Sequence, residues 1–265
     1  MNQSVKSLEA MPGSKDPERP ALNAIPRQAN PQSPPADGRA PAPERNEHTD
    51  TSGAAELTTR PRRRFRPWRL LPTPKGTPFT FGYALVLTAT SLLTEYADPN
   101  LVYALLQGSS TDVVNLAHSP ALVLVASALW IAGGITSPYA IGFLLVLTAL
   151  ERRIGGWRTA GVFLFGHAVA TLATEVPVGL SVLAGHLPDS SLHRLDYGIS
   201  FGVAASVGAL AGLLTPWLRW TVLAGFGWML LDDLIAFTDP MTNWGHLLSL
   251  AIGVSTWPLL RRVRT

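Results

Sequence analysis

Ala121-Leu122-Val123-Leu124-Val125-Ala126-Ser127-Ala128-Leu129-Trp130 is the stretch on which the fold turns. It is apolar throughout except for Ser127. As a helix it covers only about 15 Å, at roughly 1.5 Å per residue, which is half the hydrocarbon core of a bilayer. Six longer apolar segments flank it, near 79–96, 131–150, 158–183, 199–218, 220–238 and 244–260. Each approaches the roughly 20 residues that cross a bilayer as helix. With 121–130 half-inserted or re-entrant, the chain crosses six times. With a full crossing there, it crosses seven.

Charge decides between the two. With six crossings and the N-terminus inside, the basic run from Arg62 to Lys75 falls on the inner side. So do Arg152, Arg153, Arg158 and Arg219, and finally Arg261, Arg262 and Arg264. The outer loops then hold Arg194 as their one basic residue, among Asp98, Asp112, Asp189, Asp196 and Asp239. An excess of Lys and Arg marks cytoplasmic loops. A seventh crossing at 119–134 would carry the 151–158 loop outside and spoil this pattern. The sequence therefore predicts an all-α, six-helix membrane bundle in the cell (inner) membrane, with both termini cytoplasmic.

Composition agrees. The 265 residues are 47% hydrophobic and only 15% charged, where a soluble domain carries about 25% charged residues. Residues 1–60 have no aromatic side chain and many Pro and polar residues. They bury too little apolar area to offset ordering entropy and read as a disordered cytoplasmic tail. A basic juxtamembrane segment follows over 61–78, then the membrane domain over 79–260 and a basic cytoplasmic end over 261–265. The net charge of +3 does not point to nucleic acid, because the Arg residues flank apolar segments. There is no Cys, which excludes disulfides, thiolate metal sites and cysteine nucleophiles. His167, His186, His193 and His246 lack a tight ligand spacing, so no metal and no cofactor are expected.

Ionisable groups within a span are costly and mark function by default. Away from the span ends they are His167 and Glu175 in the third span, Asp232 and Asp233 in the fifth, and His246 in the sixth. Ser200 opens the fourth span at a depth that matches His246 within a turn. Gly198, Gly202 and Ser206 form a small-residue stripe on the fourth span. Gly245, Ser249 and Gly253 form one on the sixth. Such stripes let helix backbones approach closely. If the two stripes face each other, Ser200 and His246 meet on one seam. A serine becomes a nucleophile when a base within hydrogen-bond reach accepts its proton, and a neutral imidazole can do this. Taken without that chemistry, the same residues read as packing and helix-internal hydrogen bonding.

The segments Gly198-Ile199-Ser200-Phe201-Gly202, Gly245-His246-Leu247-Leu248-Ser249 and Leu150-Glu151-Arg152-Arg153-Ile154-Gly155-Gly156 together resemble the rhomboid family of intramembrane serine proteases, over residues 79–260. The resemblance implies a six-helix core with a partly inserted first outer loop. It makes Ser200 the nucleophile and His246 the general base, in a dyad with no acidic third member. It also implies a transmembrane or membrane-adjacent peptide as substrate, entering from the bilayer. The chain departs from the family pattern in three places. The stretch around Ile135-Thr136-Ser137-Pro138-Tyr139 lacks the His and Asn that help bind the oxyanion. Phe201 stands where the family has Gly after the serine. The outer loop lacks the family's Trp-Arg pair. His118 and His167 are the side chains that could substitute as oxyanion donors.

Three functions follow as expectations. The first is a serine-type intramembrane endopeptidase using Ser200 and His246, with Gly198, Gly202, His118, His167, Glu175 and Asp232 in support. The second is a catalytically inactive relative that binds membrane-protein clients. The third is a small proton-coupled transporter using Glu175, Asp232 and Asp233. The expected partners are membrane-protein substrates or clients and the lipid bilayer.

Overall fold

The computed structural model describes residues 70–264, and side chains through Arg262. The expected tail over 1–60, the 61–69 part of the basic segment and Thr265 lie outside the described residues. Within them every regular element is helical. Helix α1 (Pro78–Tyr96) is followed by three short helices, α2 (Pro99–Gly108), α3 (Val113–His118) and α4 (Pro120–Ser127). Next comes a continuous helical rod: α5 (Pro138–Gly142), a π-helical turn (Phe143–Leu147) and α6 (Thr148–Ile154). Helix α7 (Gly156–Leu183) is the longest, and a 3₁₀ turn (Asp189–His193) leads from it towards α8 (Ser200–Ala211). Helices α9 (Pro216–Ala236), α10 (Pro240–Ser255) and α11 (Trp257–Arg264) complete the chain.

Starts and stops follow local chemistry. Pro occupies the first turn of α1, α2, α4, α5, α9 and α10, where its missing N–H costs nothing. Asp98, Asp112, Ser137 and Asp239 accept first-turn N–H groups as N-caps. The half-length reading of 121–130 corresponds to α4, which is eight residues long. The apolar pattern gives no sign of helices α2 and α3 beside it.

Several predicted spans shift, the sixth among them, since 244–260 becomes α10 over Pro240–Ser255 followed by α11. The segment 131–150 becomes helical only at Pro138, because Gly133 and Gly134 take φ of 79° and 77° and turn the chain first. The segment 199–218 stops being helical at Ala211, and α9 starts at Pro216 rather than at 220. Gly212 opens the turn between them, and a residue before proline is biased away from helix.

Helix α8 is the centre of the bundle. It is 12 residues long, about 18 Å, and every residue from Phe201 to Ala211 is buried. It packs most extensively on α10 and α7. Two apolar clusters surround it. One gathers Leu87, Phe143, Leu147, Phe163, Ile199 and Val203, and the other Leu150, Ile154, Val162, Ala209, Leu210 and Leu260. Outward-facing apolar side chains on α1, α7 and α9, such as Leu92, Leu180, Trp228 and Ile235, are exposed, as a lipid-facing surface requires. By length and mean hydropathy alone, one helix among the described residues, α7, is able to cross a membrane.

A buried carboxylate ties α6 to the start of α1. Glu151, 4% exposed, accepts the N–H of Phe79 at 2.9 Å, the N–H of Thr80 at 2.8 Å and the Thr80 hydroxyl at 2.7 Å. It thereby satisfies first-turn donors of α1, where negative charge is favoured. The turn beneath it needs its glycines. Gly155 has φ 83°, and a Cβ on Gly156 would lie 2.8 Å from Glu151 Oε1.

Candidate functional site

Ser200 is the first residue of α8, and its entry turn is fixed from two sides. Gly198 adopts φ 128°, open to glycine and strained for other residues. Its N–H donates to the carbonyl of Ser127, at the end of α4, at 3.0 Å. Ile199, at the N-cap position, offers no capping side chain. Val203 is the first residue of α8 whose N–H bonds back, to the Ile199 carbonyl at 2.9 Å. The N–H groups of Ser200, Phe201 and Gly202 are therefore the open donors of the first turn. They form a cluster of backbone dipoles that sequence reasoning did not single out. The signal for it was the absence of a capping residue before Ser200.

His246 lies on α10, 5% exposed. Tyr139 from α5 stacks on its ring at 4.9 Å between centroids and 25° between planes. Phe201 meets it edge-on at 5.2 Å and 79°. Neither ring nitrogen has a hydrogen-bond partner, so no hydrogen bond joins Ser200 to His246 in this structure. The imidazole is oriented by aromatic contacts, with both nitrogens free to act. Ser200 itself is half-buried.

The two small-residue stripes fare differently. The α10 stripe faces α8: a Cβ on Gly253 would run into the Ala205 carbonyl and lie 2.9 Å from Ala209 N, and one on Gly245 would meet Phe201. The predicted α8 stripe does not answer it. Gly202 packs against Phe163 of α7, and the residues that meet α10 are Phe201, Ala205 and Gly208. A Cβ on Gly208 would lie 2.9 Å from Val254 N.

The other side chains in the expected set sit apart from this seam. His167 is buried on α7, with its Nε2 3.0 Å from the Ser127 hydroxyl and its Nδ1 unpartnered. Its ring lies 6.4 Å from that of Phe201. His118 is exposed at the end of α3, and its Nδ1 donates to the Val114 carbonyl at 2.9 Å. It lines an apolar groove of about 520 Å³ between α3 and α7, together with Leu172, Glu175, Val176 and Leu180. Asp232 is exposed on α9, and the Asp233 carbonyl accepts Asn243 Nδ2 at 2.8 Å.

Glu175, 1% exposed, pairs with Arg194 through Oε1. Arg194 also reaches Asp239 Oδ1 at 3.3 Å, Thr242 Oγ1 at 3.1 Å and Asp196 Oδ2 at 3.7 Å. Tyr139 and Arg194 are thus the contributors that sequence reasoning missed. Arg194 had a signal, as the single Lys or Arg of the predicted outer loops. Tyr139 had none, because a ring stacked on histidine from another helix leaves no spacing pattern.

Residues 75–265 match a family model described as rhomboid-like protein. No curated protein and no solved structure matches the chain.

Proposed function

We propose, from the premise that this chain belongs to the rhomboid-like protein family and is therefore a membrane protein, that it is a serine-type intramembrane endopeptidase. In this reading Ser200 is the nucleophile and His246 the general base. The observation that carries it is the state of His246: buried, clamped between Tyr139 and Phe201, with both ring nitrogens unpartnered. A buried polar group without a partner costs about 1–3 kcal/mol, a burden that use in chemistry explains. The tight α8–α10 contact holds that ring on the helix packed against the one that Ser200 begins.

The steps follow from the groups present. His246 takes the proton of the Ser200 hydroxyl as the oxygen attacks a scissile carbonyl, then returns it to the leaving amine. The open N–H groups at the start of α8 face developing negative charge, helped by the positive end of the helix dipole. The acyl-enzyme is then released by water activated at the same imidazole. The six crossings and cytoplasmic termini belong to this proposal too, and the one-sided distribution of Arg and Lys supports them.

A second reading rests on a specific observation: the Phe201 ring fills the seam beside His246, and Ser200 is not bonded to it. A protein with this seam closed would hold membrane clients without cutting them. Cleavage separates the two readings. In proteoliposomes carrying a panel of tagged single-span peptides, the peptidase cuts at least one near its outer membrane end, and the Ser200→Ala variant cuts none. Equal cutting by that variant would remove Ser200 from the reaction.

A further inference from the structure

The loop between α7 and α8 is held from two sides close to where it enters α8, through Arg194 and Asp196. On one side it meets the α2–α3 turn: Thr111 N–H donates to the Asp196 carbonyl at 2.8 Å, and Asp196 N–H donates to Ser110 Oγ at 3.0 Å. On the other side Arg194 alone reaches across to two helices. It pairs with Glu175 in the buried face of α7, and it bonds Asp239 and Thr242 at the start of α10. Thr242 and His246 are four residues apart on that helix, one turn along the same face. Arg194 precedes Ser200 by six residues, through the 195–199 segment that sets the entry turn of α8.

From this we propose that Arg194 is a positioning residue that fixes the chain leading into Ser200 to the helix that carries His246. The role rests on the peptidase reading. The planar guanidinium suits it. It spreads several N–H donors over a rigid fork, and here one nitrogen serves Glu175 while another serves Asp239 and Thr242. A point charge at that place could pair with Glu175 or with the start of α10, and would hold the two together less firmly. Phe201 and Tyr139 orient the His246 ring; the Arg194 bridge adds to the α8–α10 packing a second tie between that helix and the chain that enters Ser200.

The test uses the natural absence of cysteine. Ile199→Cys, in the entry turn and 1% exposed, reports opening of that turn. Leu147→Cys, fully buried in the neighbouring cluster, reports global unfolding. Arg194→Gln alone leaves Glu175 buried and unpaired, so the decisive background is Arg194→Gln with Glu175→Gln, which removes both charges and keeps the α10 bridge broken. Maleimide labelling of the Ile199→Cys thiol should then rise at least tenfold, while the Leu147→Cys thiol stays protected. In the cysteine-free protein with the same two substitutions, the maximal rate at which a fluorophosphonate modifies Ser200 should fall at least tenfold, with the probe concentration at half-maximal rate little changed.

Unchanged labelling of the entry-turn thiol, or parallel rises at the entry-turn and core thiols, overturns the bridge. A looser turn with an unchanged maximal rate at Ser200 overturns the positioning role. If the unsubstituted protein does not react with the probe at all, the peptidase reading falls and takes the role with it, a result that the cysteine arm distinguishes from failure of the bridge.

Discussion

At the scale of single residues, His246 shows how a ring can be held without an acidic partner. Tyr139 supplies a flat face and Phe201 an edge, and aromatic pairs of this kind contribute about 0.5–1.5 kcal/mol beyond area burial. The Tyr139 hydroxyl is itself buried and unpartnered, so the ring and not the oxygen is what His246 uses. Tyr139→Phe should retain the reactivity of Ser200 and leave thermal stability equal or higher. Tyr139→Ala should lower reactivity about tenfold or more, and loss of reactivity in the Phe variant would contradict this account. Glu151 makes a second residue-scale prediction. Glu151→Ala strands three donors of α1, and at about 1–3 kcal/mol per buried unsatisfied group it should cost roughly 3 kcal/mol or more in a denaturation measurement. Both residues lie in stretches that the sequence singles out. The Glu151 turn was legible because its glycines mark it. The Tyr139 contact was not, because it is made across helices.

Among the elements, the contrast between α8 and α10 explains what periodicity can reveal. Helix α10 buries one face, so Gly245, Ser249 and Gly253 mark that face correctly. Helix α8 is buried all round; its small residues recur on several faces, and their spacing cannot say which neighbour each one meets. That is why spacing points Gly202 at α10 while it packs on α7 instead. The same geometry predicts opposite outcomes for two glycines. Gly253→Ala drives a methyl into the α8 backbone and should destabilise by about 1–3 kcal/mol, the usual cost of overpacking. Gly225→Ala, on α9 with nothing within 4 Å of the new Cβ, should stabilise by about 0.5–1 kcal/mol through helix propensity. Equal effects in thermal unfolding would contradict the packing described here. Helix ends were partly legible: Pro138 and Pro216 announce starts, and the Gly133-Gly134 turn explains why the second predicted span begins late.

At the scale of the whole molecule, the described arginines gather on α6, α11 and the first turns of α7 and α9, while Arg194 stands among carboxylates in the loop before α8. The uneven placement of arginine was readable from the sequence. The network that it builds was not, since Glu175, Arg194 and Asp239 are far apart in the chain. The network has a pH signature. Burial raises the Asp196 carboxyl above its ordinary range; Arg194 and the Thr111 hydroxyl pull it back, and Asp239 and Asp112 push it up. A carboxyl with a raised folded-state pKa binds its proton more tightly folded than unfolded. Its contribution therefore grows as pH falls through the folded value and is lost as pH rises. As pH falls from 7 towards the ordinary carboxyl value of about 4, the wild-type protein should gain thermal stability relative to Asp196→Asn, and parallel Tm profiles would contradict the assignment.

The central claim is that Ser200 is activated by His246. It is tested most directly by reacting the purified protein with a fluorophosphonate and mapping the adduct by peptide mass spectrometry, beside Ser200→Ala and His246→Ala. The account predicts an adduct on Ser200 that is absent from the first variant and reduced at least a hundredfold in the second. A folded wild-type protein that forms no adduct, or one whose Ser200 reacts equally well without His246, would contradict it.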